Sequence, residues 1–170
     1  MSARTTAALA VGDDLAVVLL KARGFTEEDF ARSHPAGTLG RRLLLHVKDV
    51  MRTGADMPTV RADTTLAEGL MEVTRKGLGM TAIVDEANHV LGVFTDGDLR
   101  RALDRAADLR STRMDQVMSR HAKTVRTTTL AAEAVHLMET HRITSLIVVD
   151  ADEKIVGALN VHDLLRAGVF

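Results

Sequence analysis

The chain has 170 residues, enough for one ordinary domain or two small ones that share a core, and with 46% hydrophobic and 26% charged residues it has neither the composition of a disordered tail nor that of a membrane protein. Its 22 Lys and Arg against 23 Asp and Glu leave no basic excess to follow a phosphate backbone, so no nucleic-acid partner is expected. Cys is absent, which excludes disulfides, thiolate nucleophiles and Cys-based metal sites and fits a reducing cytoplasm; the lack of Trp and Tyr removes aromatic stacking as the main means of recognition.

The amino-terminal 45 residues read as helical. Apolar stretches at 7–11 and 15–20 are split by Gly12-Asp13-Asp14, and no span approaches the ~20 residues that cross a bilayer, so neither a signal peptide nor a membrane anchor is expected. Leu9, Ala16, Leu19 and Leu20 instead recur at helical spacing, Thr5 or Thr6 can cap the helix, and Gly24 stops it. A second short helix starts after Thr26, with Glu27, Glu28 and Asp29 at the positive end of its dipole. It finishes by His34, because Pro35 disfavours the α conformation in the residue before it.

From Val47 onward an internal repeat dominates. Asp49-Val50-Met51 returns as Gln116-Val117-Met118, Thr59-Val60 as Thr124-Val125, and Leu66 opens a helical pattern that returns at Leu130. Ala82-Ile83-Val84-Asp85 matches Ile147-Val148-Val149-Asp150, Gly92 matches Gly157, and Asp98-Leu99 matches Asp163-Leu164. In each copy a short strand leads into a helix, for which Thr65-Leu66-Ala67-Glu68 forms a capping box in the first copy. Two apolar strands follow, at 81–84 and 90–94, then at 146–149 and 155–159, joined by polar hairpin turns. Each copy ends in a helix beginning near Asp98 or Asp163. One such unit of about 60 residues buries too little surface to stand alone, and two packed together solve that. Gly77-Leu78-Gly79 reads as a helix stop and the methionines mostly as core filling. His136 and His141, five apart, do not share a helical face and are assigned to packing or solvent, with no metal or cofactor expected.

Two residues of the first copy carry chemistry. Thr95 lies at a strand end just before a helix, where free backbone N–H groups and the helix dipole attract an anion such as phosphate. Asp98, three residues on, can accept hydrogen bonds from a vicinal diol such as ribose. The alternative stays open at this point: Thr95 caps the helix and Asp98 complements its dipole. In the second copy Asn160 stands in place of the hydroxyl residue, followed by His162 and Asp163.

The unit order, with Gly92-Val93-Phe94-Thr95-Asp96-Gly97-Asp98-Leu99 and the weaker Gly157-Ala158-Leu159-Asn160-Val161-His162-Asp163-Leu164, resembles a tandem pair of cystathionine-β-synthase (CBS) domains. The resemblance implies an α+β (α/β) fold in which each copy runs β-α-β-β-α. It also implies ligand binding between the copies, with Thr95, Asp98, Asn160, His162 and Asp163 as site residues. Arg100 and Arg120 are candidate partners for the phosphate or carboxylate of an anionic ligand, with a solvated helix face as the alternative for Arg100. A second resemblance lies upstream: Gly24-Phe25-Thr26-Glu27-Glu28-Asp29-Phe30 and Ser33-His34-Pro35-Ala36-Gly37-Thr38-Leu39-Gly40-Arg41 look like the end of the sugar-isomerase (SIS) domain of arabinose-5-phosphate isomerases. It implies a helical SIS remnant over 1–45, then CBS copies over 46–108 and 109–170.

The implied parent interconverts ribulose 5-phosphate and arabinose 5-phosphate for the Kdo of lipopolysaccharide, with His34 as a catalytic acid or base in the full-length protein. Without the rest of a sugar-phosphate site, this chain is expected to be a regulatory ligand-binding module and not an isomerase. CMP-Kdo, preferred on pathway logic, and an adenine nucleotide are the rival effectors. The expected assembly is a homodimer of CBS pairs, with a homotetrameric parent; a CBS pair that only assembles and binds nothing is the alternative.

Overall fold

The computed structural model describes residues 44–169; the expected amino-terminal helices, with His34, lie outside the described residues. Two three-stranded sheets repeat one topology. In the first, β1 (Thr59–Arg61) runs parallel to β2 (Met80–Val84), which is antiparallel to β3 (Val90–Thr95). In the second, β4 (Thr124–Arg126), β5 (Ser145–Val149) and β6 (Ile155–Asn160) do the same. A parallel neighbour requires a crossover connection, here a helix. Helix α1 (Leu66–Lys76) joins β1 to β2, α2 (Asp96–Asp104) follows β3, the single turn α3 (Met114–Val117) leads into the second half, and α4 (Ala131–His141) and α5 (Val161–Arg166) repeat α1 and α2. The β-α-β-β-α order holds in both copies. Among the described residues no helix is long and apolar enough to cross a membrane.

Local chemistry sets the helix ends. Thr65 accepts a hydrogen bond from the Glu68 amide at 3.3 Å while Glu68 takes the Thr65 amide at 3.1 Å, the capping box expected from sequence. Gly77 closes α1 in the left-handed region at φ 63°. The second copy corrects the alignment by one residue. Leu130, not Ala131, stands at the cap, so it repeats Thr65 and not Leu66. A leucine side chain cannot accept a hydrogen bond, and only the Glu133 half of the box survives, at 3.3 Å to the Leu130 amide.

The cores are shared reciprocally. Val47 and its neighbours Leu45, Val50 and Met51 precede the first sheet, yet they pack with Ala134, Leu146, Leu159 and Leu164 of the second half. Met114, Val117 and Met118 precede the second sheet and pack with Leu66, Ile83, Phe94 and Ala102 of the first. Backbone bridges fix the exchange: Arg52 pairs with Ala158, and Ser119 with Val93. A third cluster, with Met80, Ala82 and Val84 against Ile147, Val149 and Ala158, joins the two sheets. Most methionines fill these clusters as expected, but Met71 does not, being 72% exposed on α1.

Candidate functional site

The parallel–antiparallel sheet order brings the ends of β2 and β3, the start of α2 and the loops around β4 and β5 to one place. There a cleft of about 460 Å³ opens between the two halves. Gly79, Val93, Thr95, Asp98 and Arg101 line it from one half, and Ser119, Lys123, Arg142 and Ser145 from the other. Three permanent cations, Arg101, Lys123 and Arg142, and two imidazoles, His121 and His141, share this lining with the carboxylates of Asp96 and Asp98. The electrostatic balance suits an anionic ligand. Arg142 holds a left-handed backbone at φ 52° because it closes α4, as Gly77 closes α1.

Asp98 is the best-held polar group in the cleft. It is 3% exposed, and its Oδ2 accepts from the Thr95 amide at 2.9 Å and the Thr95 hydroxyl at 2.7 Å. Its Oδ1 accepts from the Ser119 hydroxyl at 2.7 Å and from Arg101 Nη2 at 2.5 Å. Burial opposes ionisation, but the bonds from Ser119, Thr95 and Arg101 outweigh it and hold the carboxyl below the ordinary aspartate range. Thr95 occupies the N-cap position of α2 without its hydroxyl accepting a capping bond; it donates to Asp98 instead, and both residues line the cleft.

In the second half Asn160 Oδ1 accepts from the Asp163 amide at 3.0 Å, and Asp163 Oδ2 accepts from the Asn160 amide at 3.0 Å. Arg52 and Arg166 both bond to the Asp163 carboxylate. Burial opposes ionisation here too, and the Arg52 and Asn160 hydrogen bonds bring the carboxyl below its usual range. His162 is exposed in the first turn of α5. Thr95 and Asp98 are thus in the first cleft, while Asn160 and Asp163 sit together at the matching place in the other half.

Arg100 and Arg120 are exposed and lie outside the first cleft's lining. A helix turns about 100° per residue, so Arg101 and not Arg100 falls three residues after Asp98 on the same face. His141, assigned from sequence to packing or solvent, lines the cleft, as do His121, Lys123 and Arg142, none of which the motifs pointed to. A cue existed in His141-Arg142, a basic pair at the end of one helix immediately before an apolar strand.

A family model for the CBS domain matches residues 47–105 and 114–169. The chain belongs to the CBS domain family and carries two copies in tandem. It is 62% identical over 165 residues to the arabinose 5-phosphate isomerase KdsD of Pseudomonas aeruginosa, covering 97% of this chain and 51% of that protein. It is 54% identical to KdsD of Escherichia coli K12, covering 97% and 50%. The chain therefore spans about half the length of the curated relatives it matches. Among solved structures, CBSX2 in complex with AMP superposes with a TM-score of 0.62 at 24% identity, covering 74% of this chain and 96% of that one. The CBS domain pair of protein MJ0100 in complex with 5′-methylthioadenosine and S-adenosyl-L-methionine gives 0.65 at 21% identity, covering 74% and 96%.

Proposed function

We propose that the chain is the regulatory CBS pair of an arabinose-5-phosphate isomerase and binds one nucleotide-like effector in the cleft around Asp98. The observation that carries this is the pairing of a buried, ionised carboxylate, suited to a sugar diol, with a rim of Arg101, Lys123 and Arg142 suited to phosphate. Ribose hydroxyls take over the Asp98 bonds now made by Ser119 and Arg101, whose exposed side chain is free to turn toward phosphate. An adenine nucleotide is the leading effector, supported by the adenine compounds in the neighbouring CBS structures. CMP-Kdo is its rival on pathway logic, as the activated product downstream of arabinose 5-phosphate.

The relatives' names support an arabinose-5-phosphate isomerase as the parent; in this reading it works in the cytoplasm and feeds Kdo and lipopolysaccharide. In this reading the isomerisation requires the half of the relatives' length that this chain does not span, and His34 of this chain completes that site in the full-length parent. The chain alone is expected to leave ribulose 5-phosphate unconverted; turnover that disappears in His34→Ala would refute that division of labour.

Titration calorimetry of AMP, ATP, CMP and CMP-Kdo against the wild type and Asp98→Ala tests the cleft. Loss of charge-assisted hydrogen bonds at about 1.5–3 kcal/mol predicts at least roughly tenfold weaker binding by the variant. No binding of any of the four, or equal binding by the variant, eliminates the assignment and leaves a CBS pair that only assembles.

A further inference from the structure

The internal repeat builds the Asp98 arrangement twice, and Arg52 makes the second copy different. Ser119 pairs its backbone with Val93, while Arg52 pairs with Ala158, the repeat counterpart of Val93. Each residue then reaches the aspartate at the start of the helix that follows. Ser119 donates to Asp98 at 2.7 Å; Arg52 donates to Asp163 from Nε at 3.2 Å to each oxygen and from Nη2 at 3.1 Å to Oδ1. The serine stops there. The guanidinium continues, and its Nη1 donates at 2.8 Å to the carbonyl of Lys76 at the end of α1. Lys76 is the repeat counterpart of His141, which lines the first cleft. Arg52 therefore bridges the same two walls in the second half that stand apart in the first, from the helix-start carboxylate to the opposing helix end.

We propose that Arg52 is a built-in occupant of the second cleft, so that the chain takes a single nucleotide, at Asp98, and none at Asp163. This rests on the nucleotide reading of the first cleft. The two carboxylates carry matching outer partners, Arg101 and Arg166, whose side chains are 57% and 70% exposed and can swing into water. The inner partners differ in kind. A hydroxyl yields its place to another hydroxyl at little cost, whereas a guanidinium that is 25% exposed and bonded to a carboxylate 4% exposed would be left without its counter-ion. A ribose diol carries no charge with which to replace it.

The test is calorimetric titration of the 170-residue chain with AMP as the probe, in the wild type, Arg52→Ser and Ser119→Arg, with thermal melts to establish that each variant is folded. The expected result is one AMP per wild-type chain, none in Ser119→Arg, and two in Arg52→Ser, the added one removed by a further Asp163→Ala. Arg52→Gln, which loses charge and reach but keeps bulk, replaces Arg52→Ser should that variant fail to fold. Two AMP per wild-type chain, retained binding in Ser119→Arg, or no added site in the Arg52 variant overturns the proposal. If the wild type binds no AMP, the reading of the first cleft fails on its own. The Arg52 variant then still decides: an Asp163-dependent site that appears supports the built-in occupant, and none appearing refutes it.

Discussion

The carbonyl oxygen of Ser119 lies 2.7 Å from the point that a β-carbon on Gly92 would occupy, and the Met118 sulfur 2.8 Å. The antiparallel bridge between Val93 and Ser119 draws the crossing segment this close to β3, and a glycine leaves the room. Gly157 repeats the arrangement against the Met51 sulfur at 2.6 Å and the Arg52 carbonyl at 3.0 Å. Gly92→Ala is expected to cost about 1–3 kcal/mol, the usual range for overpacking, because the contact is with backbone and cannot simply rotate away. Urea unfolding checks it, and an unchanged midpoint would show that the segment shifts freely.

Thr81 is fully buried on β2, and its hydroxyl has no hydrogen-bond partner. The repeat counterpart is Leu146, an apolar core residue. An unsatisfied buried hydroxyl costs about 1–3 kcal/mol, so Thr81→Val should stabilise the fold by about 1 kcal/mol or more. A lower melting temperature in the variant would contradict this.

Asp98 and Asp163 both sit below the ordinary aspartate range in the folded protein. A depressed carboxyl contributes stability that is fully present above the unfolded-state value of about 3.9 and is lost as pH falls through the lower folded value. Acid should therefore weaken the fold below about pH 4 by this route. Asp163→Asn should be less stable than the wild type at pH 7 and show a flatter acid arm, since Arg52 and Arg166 lose their counter-ion at every pH. Unfolding midpoints between pH 7 and pH 3 read both effects, and parallel curves for the two proteins would exclude the assignment.

Association is the fourth expectation. Met71 on α1, Leu103 on α2 and Leu165 on α5 are large apolar side chains left exposed, at 72%, 54% and 47%. A homodimer of CBS pairs would cover such residues, and Leu103→Glu and Met71→Glu should each shift the equilibrium toward monomer. Sedimentation at tens of micromolar that finds only monomer in the wild type argues against it.

Much of this architecture was legible in the sequence because it depends on local signals. The Thr65 and Glu68 capping box, the Gly77 stop and the matched apolar strands each declare themselves within a few residues. Gly92 and Gly157 were visible as a repeated motif, but the reason for them was not, since Met118 and Met51 approach from outside the strand–helix pattern. The partnership of Arg52 with Asp163 spans 111 positions and leaves no periodicity to detect. The cleft cations escaped for a related reason. His121, Lys123 and Arg142 lie in connecting segments, where sequence shows charge but not the direction in which the backbone turns it.

The exchanged lead-in segments have a consequence for how such a chain can be cut or recombined. Severed between α2 and α3, the first half would lose Met114, Val117 and Met118 from the cluster around Phe94, while its own Val47 and Val50 would have nothing to cover them. The second half would be left with the opposite deficit. Each piece would carry an incomplete core, so a gene rearrangement that carried off one copy would expose apolar surface on both products. What can be transplanted into another polypeptide is the span from Leu45 onward, with both copies in their original order.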